Sequence, residues 1–218
     1  MEHRSENTIP LHFTARLAAA VDYARHLHIE RRKGTGIPYM AHLFGVASLV
    51  MGEAGLTGFP VTEDMVIAAL LHDAVEDHGG AARLEDIRQN FGADVARMVD
   101  GLSDSLAEDP ANKDPWEQRK QGYIARVRNE PADVRLISAA DKLYNARTML
   151  EDYRLIGAEL WRRFHRGRDL QISYFETIVD AFKSAGTTRI VDELERVVAE
   201  LKQITAGDAD AANQTEPH

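Results

Sequence analysis

The sequence predicts an all-α protein. Apolar residues recur at spacings of three and four along nearly the whole chain, strict alternation is hard to find, and Gly or Pro punctuates the pattern at intervals of a helix length. At 218 residues and 44% hydrophobic content, the chain can bury one substantial core, and its length favours one domain of about eight or nine helices.

The first helix is expected over 12–29. The segment KGTGIPYM, residues 33–40, then reads as a loop, because two Gly and a Pro within five residues oppose helical continuation. It feeds a helix over 39–55. The next helix, 62–78, has a recognisable start: Thr62 suits an N-cap, and the acidic first turn of EDMVIAALL suits the positive end of the helix dipole. Helices at 84–90 and 93–106 follow. The irregular stretch SDSLAEDPANKDPW, residues 103–116, suits a mobile surface loop over a site. Further helices are expected at 115–129, at 132–151 with Pro131 in the first turn, at 157–183 and at 187–206. From about Gly207, GDADAANQTEPH is small, polar and without a hydrophobic period, so residues 207–218 read as a disordered tail. The stripes around Leu70, Leu71, Leu136, Ile137, Val197 and Leu201 are ordinary helix-packing faces. They suit a core or a homo-oligomer contact equally.

With no Cys, the chain has no thiolate metal site and no disulfide framework, so any metal must be held by His and carboxylates. Its formal charge of −9 offers no general attraction to nucleic acid or an anionic membrane surface, so an anionic ligand must meet a local basic cluster. Apolar runs fall far short of a membrane span, and the start MEHRSENTIP lacks a signal-peptide core; a cytoplasmic protein is the default expectation.

The chemistry concentrates in AALLHDAVEDH, residues 68–78. On a continuous helix His72 lies one turn before Glu76, and Asp73 one turn before Asp77, so the four project within a limited arc. Crowding three carboxylates costs energy unless a cation neutralises them or the surface is open. A solvated acidic edge is the alternative, against which the preceding AALL argues. In SAADKLYNAR, Asp141 again interrupts a small, apolar helical run and needs a partner: Lys142, Arg147 or a metal. His42 sits in the first turns of an apolar helix, where a satisfied core histidine is the plain alternative. Together His42, His72, Asp73 and Asp141 offer two imidazoles and two carboxylates, a set suited to manganese, iron or zinc. His12, His26, His28, His78 and His165 suit surface or capping positions, and Trp116 and Trp161 suit packing more than base stacking.

The motifs RRKGTGIPYMAH, LLHDAVED, FGADVARMVDGLSD, RKQGYI and ADKLYNARTM, in that order, resemble the hydrolase domain of the RelA/SpoT homologues, in particular a small alarmone hydrolase of the HD phosphohydrolase superfamily. The resemblance covers roughly residues 12–184 and implies an HD-type helical fold over residues 1–206. It implies a manganese ion held by His42, His72, Asp73 and Asp141, and removal of the 3′-pyrophosphate from guanosine tetra- or pentaphosphate or the adenosine equivalents. Glu76 and Asp77 inherit roles toward the hydrolytic water and proton transfer. Arg32 and Lys33 match a basic pair facing nucleotide phosphates, and Asn145 matches an active-site Asn. Tyr144 stands where the multidomain enzymes have His, which favours the short homologues. Arg168 and Tyr174 are weaker matches for substrate contacts, and no region long enough for a synthetase domain is present.

Glu76 and Asp77 beside a polyanionic substrate require opposing cations, for which Arg32, Lys33, Arg119, Lys120, Lys142 and Arg147 are available. Two alternatives to alarmone hydrolysis are a broader nucleotide or NADPH phosphohydrolase and a non-catalytic nucleotide-sensing HD module.

Overall fold

The computed structural model describes residues 11–109, 112–164 and 166–208. Its helices are α1 (Ala15–Leu27), α2 (Met40–Met51), α3 (Glu63–Leu71), α4 (Ala74–Asp77), α5 (Gly80–Phe91), α6 (Ala93–Leu102), α7 (Trp116–Val127), α8 (Ala132–Ile156), α9 (Gly167–Ala185) and α10 (Arg189–Ile204), with a 3-10 turn over Gly157–Arg163. Among the described residues the only extended pairing is the isolated bridge between Arg31 and Pro38, which closes the 30–39 loop. The all-α expectation holds.

Caps set several of the boundaries. Thr62 accepts a hydrogen bond from the Met65 N–H at 3.3 Å, and Thr188 one from the Val191 N–H at 3.4 Å, each satisfying a backbone donor that the first turn leaves open. Thr14 caps α1 and donates its own N–H to Glu63 at 2.5 Å, tying the starts of α1 and α3 together. Pro131 stands at the N-cap position of α8, one residue before the expected first turn.

The expected helix over 62–78 is interrupted. α3 ends at Leu71, His72 and Asp73 form a turn, and α4 resumes at Ala74, with Asp73 at φ −91° and ψ −9°. The helix expected at 84–90 begins earlier, at Gly80. The one expected over 157–183 is a 3-10 turn followed by α9, because Gly157 and Gly167 both have positive φ, where right-handed helix does not continue. Of the tail expected from Gly207, residues 209–218 lie outside the described residues. Asp208 is anchored, accepting from Trp161 Nε1 at 2.8 Å and from Tyr153 OH at 3.0 Å.

Two helices organise the core. In α3 every residue from Met65 to Leu71 is buried, with α1, α2, α6 and α8 packed around it. Burial of each larger aliphatic side chain there is worth roughly 1.5–3 kcal/mol, which anchors the element whose end carries His72. α8 packs against α2, α3, α6, α9 and α10 and buries Asp141 among its apolar residues. α2 and α8 approach closely at Gly45: a Cβ there would lie 1.9 Å from Tyr144 Cε2. Glycine at 45 therefore lets the helix carrying His42 meet the helix carrying Asp141. No described helix is long and apolar enough to cross a membrane.

Candidate metal centre and active site

Three segments deliver the donors: α2 brings His42 in its first turn, the α3–α4 turn brings His72 and Asp73, and α8 brings Asp141. Both imidazoles and Asp141 are buried. His42 Nε2 and His72 Nε2 are 3.1 Å apart, and Asp73 Oδ2 lies 3.3 Å from the first and 3.0 Å from the second. Asp141 Oδ1 lies 3.4 and 3.6 Å from the same two nitrogens. Donors about 2.0–2.2 Å from one ion are separated by roughly 2.9–3.5 Å, so His42, His72 and Asp73 are spaced as a group that could hold a metal ion, with Asp141 Oδ1 at the edge of that range.

The donor chemistry fits a divalent cation. His72 Nδ1 lies 2.8 Å from the Ala69 carbonyl, which can only accept, so Nδ1 carries the proton and the Nε2 lone pair is available to a metal. Burial opposes charge on His72, but Asp73 and Asp141 outweigh it and raise its pKa well above the ordinary value; burial lowers that of His42. Asp73 and Asp141 thus favour positive charge beside His72 Nε2, supplied by a proton or by a metal ion. Tyr39 OH donates to Asp73 Oδ2 at 2.7 Å, and Asn145 Nδ2 donates to Asp141 Oδ1 at 2.6 Å. The salt-bridge alternative for Asp141 is present as well: Lys142 Nζ is 2.5 Å from Oδ2, which leaves Oδ1 facing the imidazoles. Burial would raise the Asp141 pKa, but Lys142 and the two imidazoles prevail and hold it far below the carboxylate range.

Glu76 and Asp77 project from α4 into the same cavity, about 240 Å³ in volume. Glu76 accepts from Arg119 at 3.1 Å, and Lys113 stands 3.7 Å from Glu76 and 3.9 Å from Asp77. Burial and the charges of Asp104 and Asp73 raise the Glu76 pKa against the pull of Lys120 and Lys113. Burial, Asp73 and Glu76 push Asp77 up to about 7. A carboxyl poised there can give or take a proton near neutral pH.

A second cavity, about 330 Å³, adjoins the first and has a different character, with walls that include Ile37, Trp116, Tyr174 and Phe175. The two share Arg32, Tyr39, Lys120, Lys142 and Asn145, so cationic and amide groups stand between an acidic chamber and an aromatic one. Arg32 donates to Asn145 Oδ1 at 2.9 Å.

The sequence profile of the HD domain family matches residues 20–162. The chain belongs to the HD domain family. This HD-domain chain is 31% identical over 194 residues to the guanosine-3′,5′-bis(diphosphate) 3′-pyrophosphohydrolase MESH1 of Mus musculus, covering 88% of this chain and 97% of that one. It is 33% identical over 182 residues to the enzyme of the same name from Homo sapiens, covering 82% and 90% of the two chains. Among solved structures it is similar to a metazoan ortholog of SpoT that hydrolyzes ppGpp, with a TM-score of 0.65, 26% identity, and coverage of 89% of this chain and 98% of that one.

Within the HD fold, the expected metal and acid residues His42, His72, Asp73, Asp141, Glu76 and Asp77 all line one cavity. Arg32, Lys120, Lys142 and Asn145 stand at the junction, and Lys33 and Tyr174 line the aromatic chamber. Three expected substrate contacts lie elsewhere. Tyr144 lines neither cavity; it packs on His42, ring centroids 5.1 Å apart, and fills the space left by Gly45. Arg147 follows Asn145 by two residues, which turns it to the other side of α8, where it pairs with Glu193 at 3.2 Å. Arg168, at the start of α9, donates to Thr205 Oγ1 at 3.1 Å and pairs with Asp169.

Sequence reasoning missed Tyr39, Asp104, Lys113 and Tyr123. Tyr39 stands one helical turn before His42 in IPYMAH, a spacing that would have revealed it. Asp104 and Lys113 belong to the irregular 103–116 segment, whose distance from the HD motif in sequence hid their place beside it. Trp116, expected as packing, borders the aromatic chamber beside Tyr174, with ring centroids 5.9 Å apart. His28, expected at a surface or cap, is the C-cap of α1; its side chain is buried at 3% exposure and contacts Glu30 and His78.

Proposed function

We propose that this HD-family hydrolase removes the 3′-pyrophosphate from guanosine or adenosine alarmones, releasing pyrophosphate and a nucleoside 5′-phosphate product. In this reading a divalent ion, with manganese as first choice, is held by His42, His72, Asp73 and Asp141. The observation that carries the proposal is the basic band of Arg32, Lys120 and Lys142 between the two chambers. A nucleotide with a phosphate group on its 3′ oxygen spans such a pair of chambers: base against Trp116 and Tyr174, phosphates along the band, scissile group toward the His–Asp quartet. The pyrophosphohydrolase relatives, similar over most of the chain, support the same substrate class.

When bound, the ion supplies Lewis acidity toward a phosphoryl oxygen and toward water. Glu76 is assigned to orient the attacking water and take its proton as the new oxygen–phosphorus bond forms. Asp77, whose proton burial and the neighbouring carboxylates help to hold, is assigned to protonate the ribose 3′ oxygen as the bond to the pyrophosphate breaks. Arg119 and Lys113 restrain this acidic pair and offset its repulsion toward the phosphates.

Incubating the purified protein and manganese separately with ppGpp, ppApp, deoxynucleoside triphosphates and NADPH tests the proposal. Pyrophosphate release from an alarmone is expected; preference for a substrate without a 3′ phosphate overturns it. Alarmone binding without pyrophosphate release in metal-replete protein would identify a sensing module instead.

A further inference from the structure

Outside the His–Asp quartet, the described residues hold one other tight group of imidazole and carboxylate donors. His28 Nδ1 lies 2.8 Å from Glu30 Oε1, His78 Nε2 lies 3.2 Å from His28 Nδ1, and His78 Nε2 lies 3.6 Å from Glu30 Oε1. One hydrogen on His28 Nδ1 serves Glu30, and the His78 Nε2 lone pair lies 3.2 Å from the same nitrogen, so three ring and carboxylate donor atoms converge on one point; His28 Nε2, on the far side of the ring, has no hydrogen-bond partner among the described residues.

We propose that His28 Nδ1, Glu30 Oε1 and His78 Nε2 form a second binding site for a divalent transition-metal ion of the zinc class. Donors in a tetrahedral zinc sphere are about 3.3–3.5 Å apart, and the three observed separations straddle that range. Two imidazoles and one carboxylate suit zinc, and the absence of Cys leaves this as the accessible ligand chemistry. Burial lowers the His28 pKa, keeping the imidazole in its neutral, ligating form. The partial exposure of Glu30 and His78 gives an ion a route inward, while His28 forms the floor.

The site is placed to act on the first centre. The His28 ring stacks on Tyr39 with centroids 5.0 Å apart and planes 9° apart, and Tyr39 OH donates to Asp73. His78 is the C-cap of α4, directly after Asp77. An ion here would pin the 28–30 segment to the end of the helix that carries Glu76 and Asp77, making its ligands positioning residues. The inference concerns ion binding and does not depend on which nucleotide the protein hydrolyses.

Metal counting tests it. The full-length protein is stripped with chelator, loaded with zinc chloride alone, passed over a desalting column and assayed for zinc per chain by mass spectrometry. Wild type is expected to retain two ions, and His78→Ala and Glu30→Ala one each, with unchanged circular dichroism. Asp73→Ala, which removes a donor of the first centre, is expected to keep one. A single ion in the wild type, or a second ion retained by either the His78 or the Glu30 variant, overturns the proposal.

Discussion

Glu76 and Asp77 are neighbours on one short helix, yet their surroundings assign them different work. Glu76 is gripped by Arg119, whereas Asp77 faces Lys113 only at 3.9 Å and carries the raised pKa near 7. Glu76→Gln and Asp77→Asn should each lower turnover about 100-fold or more while metal per chain stays at the wild-type value. Steady-state kinetics with parallel metal analysis checks this, and wild-type turnover in either variant removes that residue from the chemistry. Asp77 also leaves a signature in stability. Its pKa rises from the ordinary 3.8 to about 7 on folding, so the fold favours the protonated form. That contribution is fully present below pH 3.8 and is lost as pH climbs through 7. In chelator-treated protein, Asp77→Asn should match wild type at pH 4 and exceed it at pH 8. The gain should be about 1 kcal/mol, less than the full shift implies because the side chain is 40% exposed and water screens it. Melting curves across this pH range decide the matter.

Among the elements, the break between α3 and α4 matters most. On an undistorted helix adjacent side chains diverge by about 100°, so His72 and Asp73 would not readily serve one ion; the turn at these residues lets their donor atoms come within 3.0 Å. The sequence led to one helix here, because AALL and AVED keep a helical period on both sides and no Gly or Pro marks the interruption. The donors themselves were legible: carboxylates set among buried-looking small residues signal a neutralising partner, and Asp141 and Asp73 have one. Which bases face the site was less legible, since helical phase decides it, and that is where Arg147 and Tyr144 departed from expectation. A glycine within an apolar helix carried a message as well. Gly45→Ala would push a methyl into Tyr144, separating α2 from α8 and drawing His42 away from Asp141. We expect at least a tenfold loss of manganese affinity in that variant. Gly45→Ala combined with Tyr144→Ala should recover part of it. Isothermal titration of both proteins provides the comparison.

For the molecule as a whole, the quartet proposed to hold the ion comes from α2, the α3–α4 turn and α8, elements far apart in the chain that carry much of the core. An ion bound only by the folded form stabilises it by about 2.7 kcal/mol at a free concentration one hundred times its Kd. For a chain of this size that corresponds to a rise in Tm of roughly 5–10 °C. Manganese added to chelator-stripped protein should produce such a rise, and Asp73→Ala should abolish it; differential scanning calorimetry gives the answer.

In the proposed function the collar of Arg32, Lys120 and Lys142 separates recognition from reaction. Under the proposed function, a nucleoside triphosphate with a bare 3′ hydroxyl can lodge its base among the aromatics and rest its 5′ chain on the collar, yet it presents no phosphorus to the acidic chamber. Such abundant cellular molecules would occupy the enzyme without being consumed. The working rate would then follow the ratio of alarmone to ordinary nucleotide.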